Sequence, residues 1–234
     1  VNSGSGFMNG LIDETRVSNA ARSADEIAEN YRAGRDHRLG KTISSTDLSA
    51  KTKVPFYIAS DRPGTYLEAT VGEGGYANYE TDASTTGLWH LDEQGGTANT
   101  YIKDSSGNAN HSSTITGTTF VQGKIGKARD FDGTDDQILL SNISGMPRSA
   151  NDFTIEAWTY QTALDYGGIF GISDGAVSDT EYRLAQNVSG TIFAQIINNA
   201  GGTYAGFTDS TQVVSANQWN HIVATWNGSI AKMY

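Results

Sequence analysis

Residues 153–161 read FTIEAWTYQ, nine residues with period two. Phe153, Ile155, Ala157 and Thr159 fall on one face, and Thr154, Glu156, Trp158 and Tyr160 on the other. Large side chains stand on both faces. That predicts an inner strand covered on each side, because a half-solvated strand alternates cleanly between apolar and polar. Moving outward, GLWHL, GTTFVQGK, GKARDFDG, DQILLS, GGIFGIS, YRLAQ, TIFAQII, TYAGFT and QWNHIVATWN are further strand-length runs. Gly, Asn, Asp or Ser separates most of them, at a spacing suited to a sandwich. The expected fold is all-β, an antiparallel β-sandwich of jelly-roll type.

Earlier in the chain, GLIDETRVS also has strand character. Leu11, Asp13, Thr15 and Val17 alternate with Ile12, Glu14 and Arg16, which separates polar from apolar only in part. RSADEIAENYRAG then changes to helical period. Ser23 and Glu26 have the spacing of a capping box, Ile27 and Tyr31 lie one turn apart, and Gly34 reads as the stop. This is the one short helix expected, near the N-terminus. Residues 35–85 read as a linker carrying a β-hairpin at 53–73, in which Phe56 and Ile58 precede Arg62-Pro63-Gly64, and Tyr66 and Leu67 follow it.

The chain has 234 residues, with 16 Lys and Arg against 26 Asp and Glu, a formal charge of -10. That balance argues against nucleic acid as a partner, which needs a basic footprint. It also argues against docking on anionic lipid. No apolar run is long enough to insert in a membrane. There is no cysteine, which excludes disulfides, thiolate metal ligands and a thiol nucleophile.

The ordered string GLWHLDE, IKDSSGNANH, GKIGKARDFDGTDDQILLS, FTIEAWTY and QWNHIVATWNG resembles the laminin G-like jelly roll of the concanavalin A-like lectin/glucanase superfamily. The resemblance covers residues 86–234. In that family the last strand has the form Gly-x-Ile-Asp-Glu-x-Arg followed by a short helix, a pattern similar to residues 10–27. Residues 1–34 thus resemble the closing strand and helix of a jelly roll, and residues 86–234 the larger part of another, C-terminally incomplete. One reading is a window across a tandem array of such domains. The other is a circular permutation, with the N-terminal strand closing the sandwich that follows. The second places Gly10–Val17 antiparallel to Gly87–Leu91 and brings Asp13 towards Asp104.

Four groups of residues bear on chemistry. In DSSGNANH, Asp104, Asn108 and Asn110 offer hard oxygen ligands in a tight loop, which suits Ca²⁺ or, equally, a metal-free Asx turn. The resemblance implies a structural calcium between this loop and the last strand, with Asp13 as a further ligand. DFDGTDD places Asp130, Asp132, Asp135 and Asp136 in one stretch, read as a solvated turn with a second cation site as the alternative. The in-strand tryptophans, Trp89, Trp158, Trp219 and Trp226, read as core. Tyr166 and Tyr204, each near glycine, are the loop aromatics expected to contact a ligand. The histidines 37, 90, 111 and 221 show no metal spacing.

Retaining glucanases of this superfamily carry paired carboxylates on one strand, close enough for acid/base and nucleophile roles. No such spacing occurs here. Glu80-Thr81-Asp82 begins one and breaks off, and Glu156 has Thr154 and Trp158 at its two-residue neighbours. The expectation is therefore no enzyme. The resemblance implies a carbohydrate-binding or adhesion module of a secreted or cell-surface protein, with glycans or extracellular proteins as partners. A structural spacer in a surface stalk, or an accessory domain of a glycoside hydrolase, are the alternatives.

Overall fold

The computed structural model describes residues 6–36, 79–93, 102–140, 145, 152–173, 180–198 and 203–234. The hairpin expected at 53–73 lies outside them. The first two elements are β1 (Asn9–Ser18) and α1 (Ala24–Asp36). Twelve strands follow: β2 (Thr85–Trp89), β3 (Ser112–Thr116), β4 (Thr119–Gln122), β5 (Lys127–Asp132), β6 (Gln137–Leu140), β7 (Phe153–Gln161), β8 (Gly167–Ser173), β9 (Thr180–Gln186), β10 (Thr191–Asn198), β11 (Thr203–Val213), β12 (Trp219–Trp226) and β13 (Ala231–Met233).

They form an antiparallel sandwich. One sheet runs β13-β12-β7-β1-β5-β4 with β2 also on β1, a second runs β11-β10-β9-β8, and β3 pairs with β6. The central strand expected at Phe153–Gln161 is there, flanked by β1 and β12. Ile12, Val17, Phe153, Ile155, Ala157, Ile222 and Ala224 of the large sheet meet Ile169, Leu184, Ile192 and Ala194 of the small one in a single apolar core.

β1 is the second central strand. One edge pairs with β7 over most of its length. The other pairs first with β5, at Asn9 to Ile12, then with β2, where Thr15 faces Trp89 and Val17 faces Gly87. The antiparallel pairing of the N-terminal strand with residues 87–91 is thus present. Gly10 makes the insertion sterically open: its φ is 139°, and a Cβ there would stand 2.1 Å from the Tyr160 carbonyl oxygen.

The alternation read for β1 is interrupted. Ile12 and Val17 both enter the core although one is even and the other odd. A register shift between Asp13 and Arg16 explains this, with Glu14 at φ 49°. The extra residue of a bulge moves the following side chains to the opposite face. Asp13, Glu14 and Arg16 consequently belong to the outer side of the sheet, away from the small sheet.

α1 covers that outer side. Its capping box forms as expected: Ser23 N–H donates to Glu26 Oε2 at 2.8 Å, and Glu26 N–H to Ser23 Oγ at 3.3 Å. Gly34 is not a stop, since the helix runs on to Asp36. It is a contact point, because a Cβ at Gly34 would lie 2.4 Å from the Trp158 ring nitrogen. Tyr31 stacks on the same indole with centroids 5.6 Å apart. Leu88, Ile125, Trp158 and Tyr79 make a second, smaller core on this side.

Candidate functional site

Beside the second core lies a buried charged network. The bulge turns Glu14 outward, where its carboxylate sits 2.9 Å from His90 Nδ1 and accepts the Tyr79 N–H at 3.2 Å. On the adjacent strand β7 and the same side, Glu156 pairs with Arg16 through Nε. Glu156 also accepts from Asn30 Nδ2 of α1 at 3.2 Å and lies 3.4 Å from His221 Nε2. Tyr79 Oη is 2.9 Å from the same His221 nitrogen, and the Arg16 guanidinium stands over the Tyr79 ring at 5.0 Å. Arg22 is 4.0 Å from Glu156 and 2.7 Å from Asp82.

The environments of the two glutamates diverge. Burial raises the Glu14 carboxyl above its usual range, against the opposing pull of His90. Burial also acts to raise Glu156, but the hydrogen bond to His221 and the charge of Arg16 prevail and hold it low. One carboxyl pushed up beside one held down is the pattern of an acid and a nucleophile. Access decides against that role. Both side chains are 0% exposed, and their oxygens face Tyr79, Asn30, Arg16 and two histidines rather than a cleft. Structural ion networks shift carboxyl groups in the same way.

The loop expected to hold calcium is built around Asp104. Its Oδ1 accepts the N–H groups of Leu88 (2.9 Å) and Ser106 (2.8 Å). Its Oδ2 accepts from Ser106 Oγ (2.7 Å) and Asn110 N–H (3.0 Å). Asn108 and Asn110 both donate through Nδ2 to the Thr86 carbonyl, at 3.1 and 3.0 Å. His111 Nδ1 accepts the Asp104 N–H at 3.0 Å, which fixes a proton on its other nitrogen when neutral. Asp104, Asn108 and Asn110 are thus gathered in one loop, and Asp13 belongs to another set of bonds: its Oδ2 accepts the Ile125 N–H at 2.8 Å. Burial, with Glu14 and Asp92 nearby, drives the Asp13 carboxyl well above its usual range. The donor set fits a cation only in part, because the Asp104 oxygens already hold four protein donors.

In the acidic turn, Asp132, Asp135 and Asp136 offer oxygens within 4.8 Å of one another. Asp136 Oδ2 accepts the Asp132 N–H at 2.8 Å, and Asp132 Oδ1 accepts that of Thr134 at 2.7 Å, so these carboxylates organise the turn itself. Burial and then its acidic neighbours raise Asp130.

Tyr166 lies between β7 and β8 and is exposed. Tyr204 is not a loop residue. It lies near the start of β11, opposite Ile197 of β10. Trp89 and Trp158 are buried as read, while Trp219 is half-buried with its ring edge-on to Tyr160 at 5.7 Å. The Glu14 and Glu156 network was absent from the sequence reading. The outward-facing Glu156 beside Trp158 was its one visible trace.

Residues 132–234 match the family model Laminin_G_3, described as concanavalin A-like lectin/glucanases superfamily. The match covers β6 to β13, which include most of the core contributed by both sheets. No match was found among curated proteins or among solved structures.

Proposed function

We propose that this chain, whose residues 132–234 match the concanavalin A-like lectin/glucanase superfamily, is a non-catalytic carbohydrate-binding or adhesion module of a secreted or cell-surface protein. The family match on a jelly-roll sandwich carries the reading. Laminin G-like domains commonly bind glycans or proteins outside cells, so the class of partner rests on family analogy. The acidic balance of the chain fits a glycan or protein partner rather than a polyanion. Among the described residues, no helix is long and apolar enough to cross a membrane.

The sealed carboxylates support the absence of catalysis. A glycosidase needs two carboxyl groups flanking a bond that substrate brings between them. Glu14 and Glu156 are closed off by α1 and Tyr79, and each is already held by a cationic or amide partner. Opening that site means undocking the helix.

The test uses the purified chain on a glycan array, with reducing-end release from β-glucans measured in parallel. The expected outcome is binding without release. Hydrolysis that disappears in Glu14→Gln or Glu156→Gln overturns the non-catalytic reading. An array with no binding shifts the assignment to a structural spacer.

A further inference from the structure

Directly opposite residues of paired strands stand on the same face of a sheet. The registers of the large sheet therefore define rows across its outer side. One row, His221–Trp158–Asp13, runs under α1, where Tyr31 stacks on Trp158 and Gly34 packs on the same indole. Two residues further along each strand lies the next row. It consists of Trp219 on β12, Tyr160 on β7, Leu11 on β1, Asp130 on β5 and Thr119 on β4. Thr119 is exposed and the other four are half-buried. Trp219 and Tyr160 meet edge to face, with centroids 5.7 Å apart. The row after that is polar. Asp132 faces Asn9, and Thr162 Oγ1 donates to Asn9 Oδ1.

We infer that the Trp219–Asp130 row binds a short oligosaccharide of amino sugars with free amines. The inference rests on the glycan-binding reading above and adds the place and the charge of the ligand. From β12 to β5 there are three strand spacings, about 14 Å, the reach of a few linked rings. At the β12 end, the C–H faces of a pyranose suit the negative faces of Trp219 and Tyr160. An ammonium group is drawn to the same faces. Along the side, Thr162 and the Asn9 amide nitrogen, which has no hydrogen-bond partner among the described residues, suit hydroxyl groups.

The β5 end sets the charge. Asp130 and Asp132 stand there on one face, two residues apart. Burial and then repulsion from Asp136 and Asp132 push the Asp130 carboxyl up, and the opposing pull comes from the Phe131 N–H. An ammonium group supplies a counter-charge and a charge-assisted hydrogen bond. A uronic acid is repelled, and a neutral sugar leaves the carboxylates as they are. A bare divalent cation would engage the carboxylates and none of the aromatic part. The formal charge of -10 attracts cationic chains to the whole surface, so local variants are what separate this row from general attraction.

The experiment is an amide and indole NMR titration of the full chain at about 0.15 M salt. The probes are a glucosamine tetramer, its fully N-acetylated form and tetralysine. Saturable shifts by the free-amine tetramer are expected at the Leu11, Thr119, Asp130 and Tyr160 amides and the Trp219 indole. The acetylated tetramer binds about fivefold more weakly or less tightly still, having lost the charge. Thr119→Lys sets an ammonium group opposite Asp130 on an exposed strand position. It weakens the free-amine tetramer about fivefold without lowering the melting temperature. Trp219→Ala weakens both tetramers about tenfold. Equal binding of the two tetramers, or free-amine binding that survives Thr119→Lys, refutes the site; sugar shifts that map elsewhere then leave the glycan reading intact. Tetralysine shifting the same residues at equal affinity makes the row a basic-peptide site and overturns the inference. No binding by either tetramer, with other glycans bound on the array, removes this inference alone, and no binding on either removes both.

Discussion

Glu156→Gln isolates the electrostatics of the buried network. The substitution keeps the shape of the side chain, so it leaves no cavity, and only charge and hydrogen-bond polarity change. Glu156 is fully buried. It faces Arg16, Asn30 at 3.2 Å, His221 at 3.4 Å and Arg22 at 4.0 Å, all of them donors or cations. A glutamine can accept with one oxygen, but its amide then points at other donors. Removing one partner of a buried ion pair costs about 3–5 kcal/mol, since the remaining charge stays buried. Against a total stability of about 5–15 kcal/mol this is a large share. With a urea slope near 2 kcal/mol/M, the midpoint falls by about 2 M at constant slope. Hydrogen exchange in α1 accelerates first, because Asn30 ties the helix to Glu156. The Glu156 carboxyl is held below its usual 4.5. Its stabilisation is therefore present above pH 4.5 and lost as pH falls through the depressed value, so the variant also has a shallower acid limb. Arg16→Met with Glu156→Leu restores much of the loss, as matched apolar residues replace matched ions. A loss under about 1 kcal/mol with unchanged α1 protection refutes the argument that this pair is desolvated and holds the helix.

His90 answers the opposite pH change. Burial alone would lower its value, but the Glu14 carboxylate raises it above 6.5, so its stabilisation is complete below 6.5 and is lost as pH rises through the raised value. His90→Asn flattens that decline in urea titrations between about pH 6 and 9. Gly34→Ala destabilises by about 1–3 kcal/mol in thermal melts, because the methyl meets a rigid buried indole. An exposed helical glycine would show the reverse sign, a gain of roughly 1 kcal/mol. For calcium, we propose binding at the Asp104 loop of the native state alone, so that Ca²⁺ raises the melting temperature by mass action and Asp104→Asn removes the rise. An unchanged melting temperature in millimolar Ca²⁺, with Asp104→Asn destabilising equally with and without the ion, assigns Asp104 solely to its four protein donors.

What the sequence made legible was local or periodic. Nine alternating residues with bulk on both faces place β7 inside the sheet, because only two covering layers can bury both sets. The capping box was readable because Ser23 and Glu26 are three residues apart and meet through their own turn. β1 shows where this ends. Its alternation looks mixed because a bulge at Glu14 exchanges the faces halfway along, and nothing in DETR marks the bulge; the left-handed φ falls on a glutamate rather than a glycine. From that one displaced residue the site follows. Glu14 turns to His90, Arg16 turns to a glutamate 140 positions away, and α1 closes over both. Gly34 illustrates the same dependence, since a glycine late in a helix reads as a stop until the partner ring is known. Strand order, rather than any single motif, creates the sealed carboxylates, because β1 sets Glu14 and Arg16 beside Glu156 and carries α1 over that face.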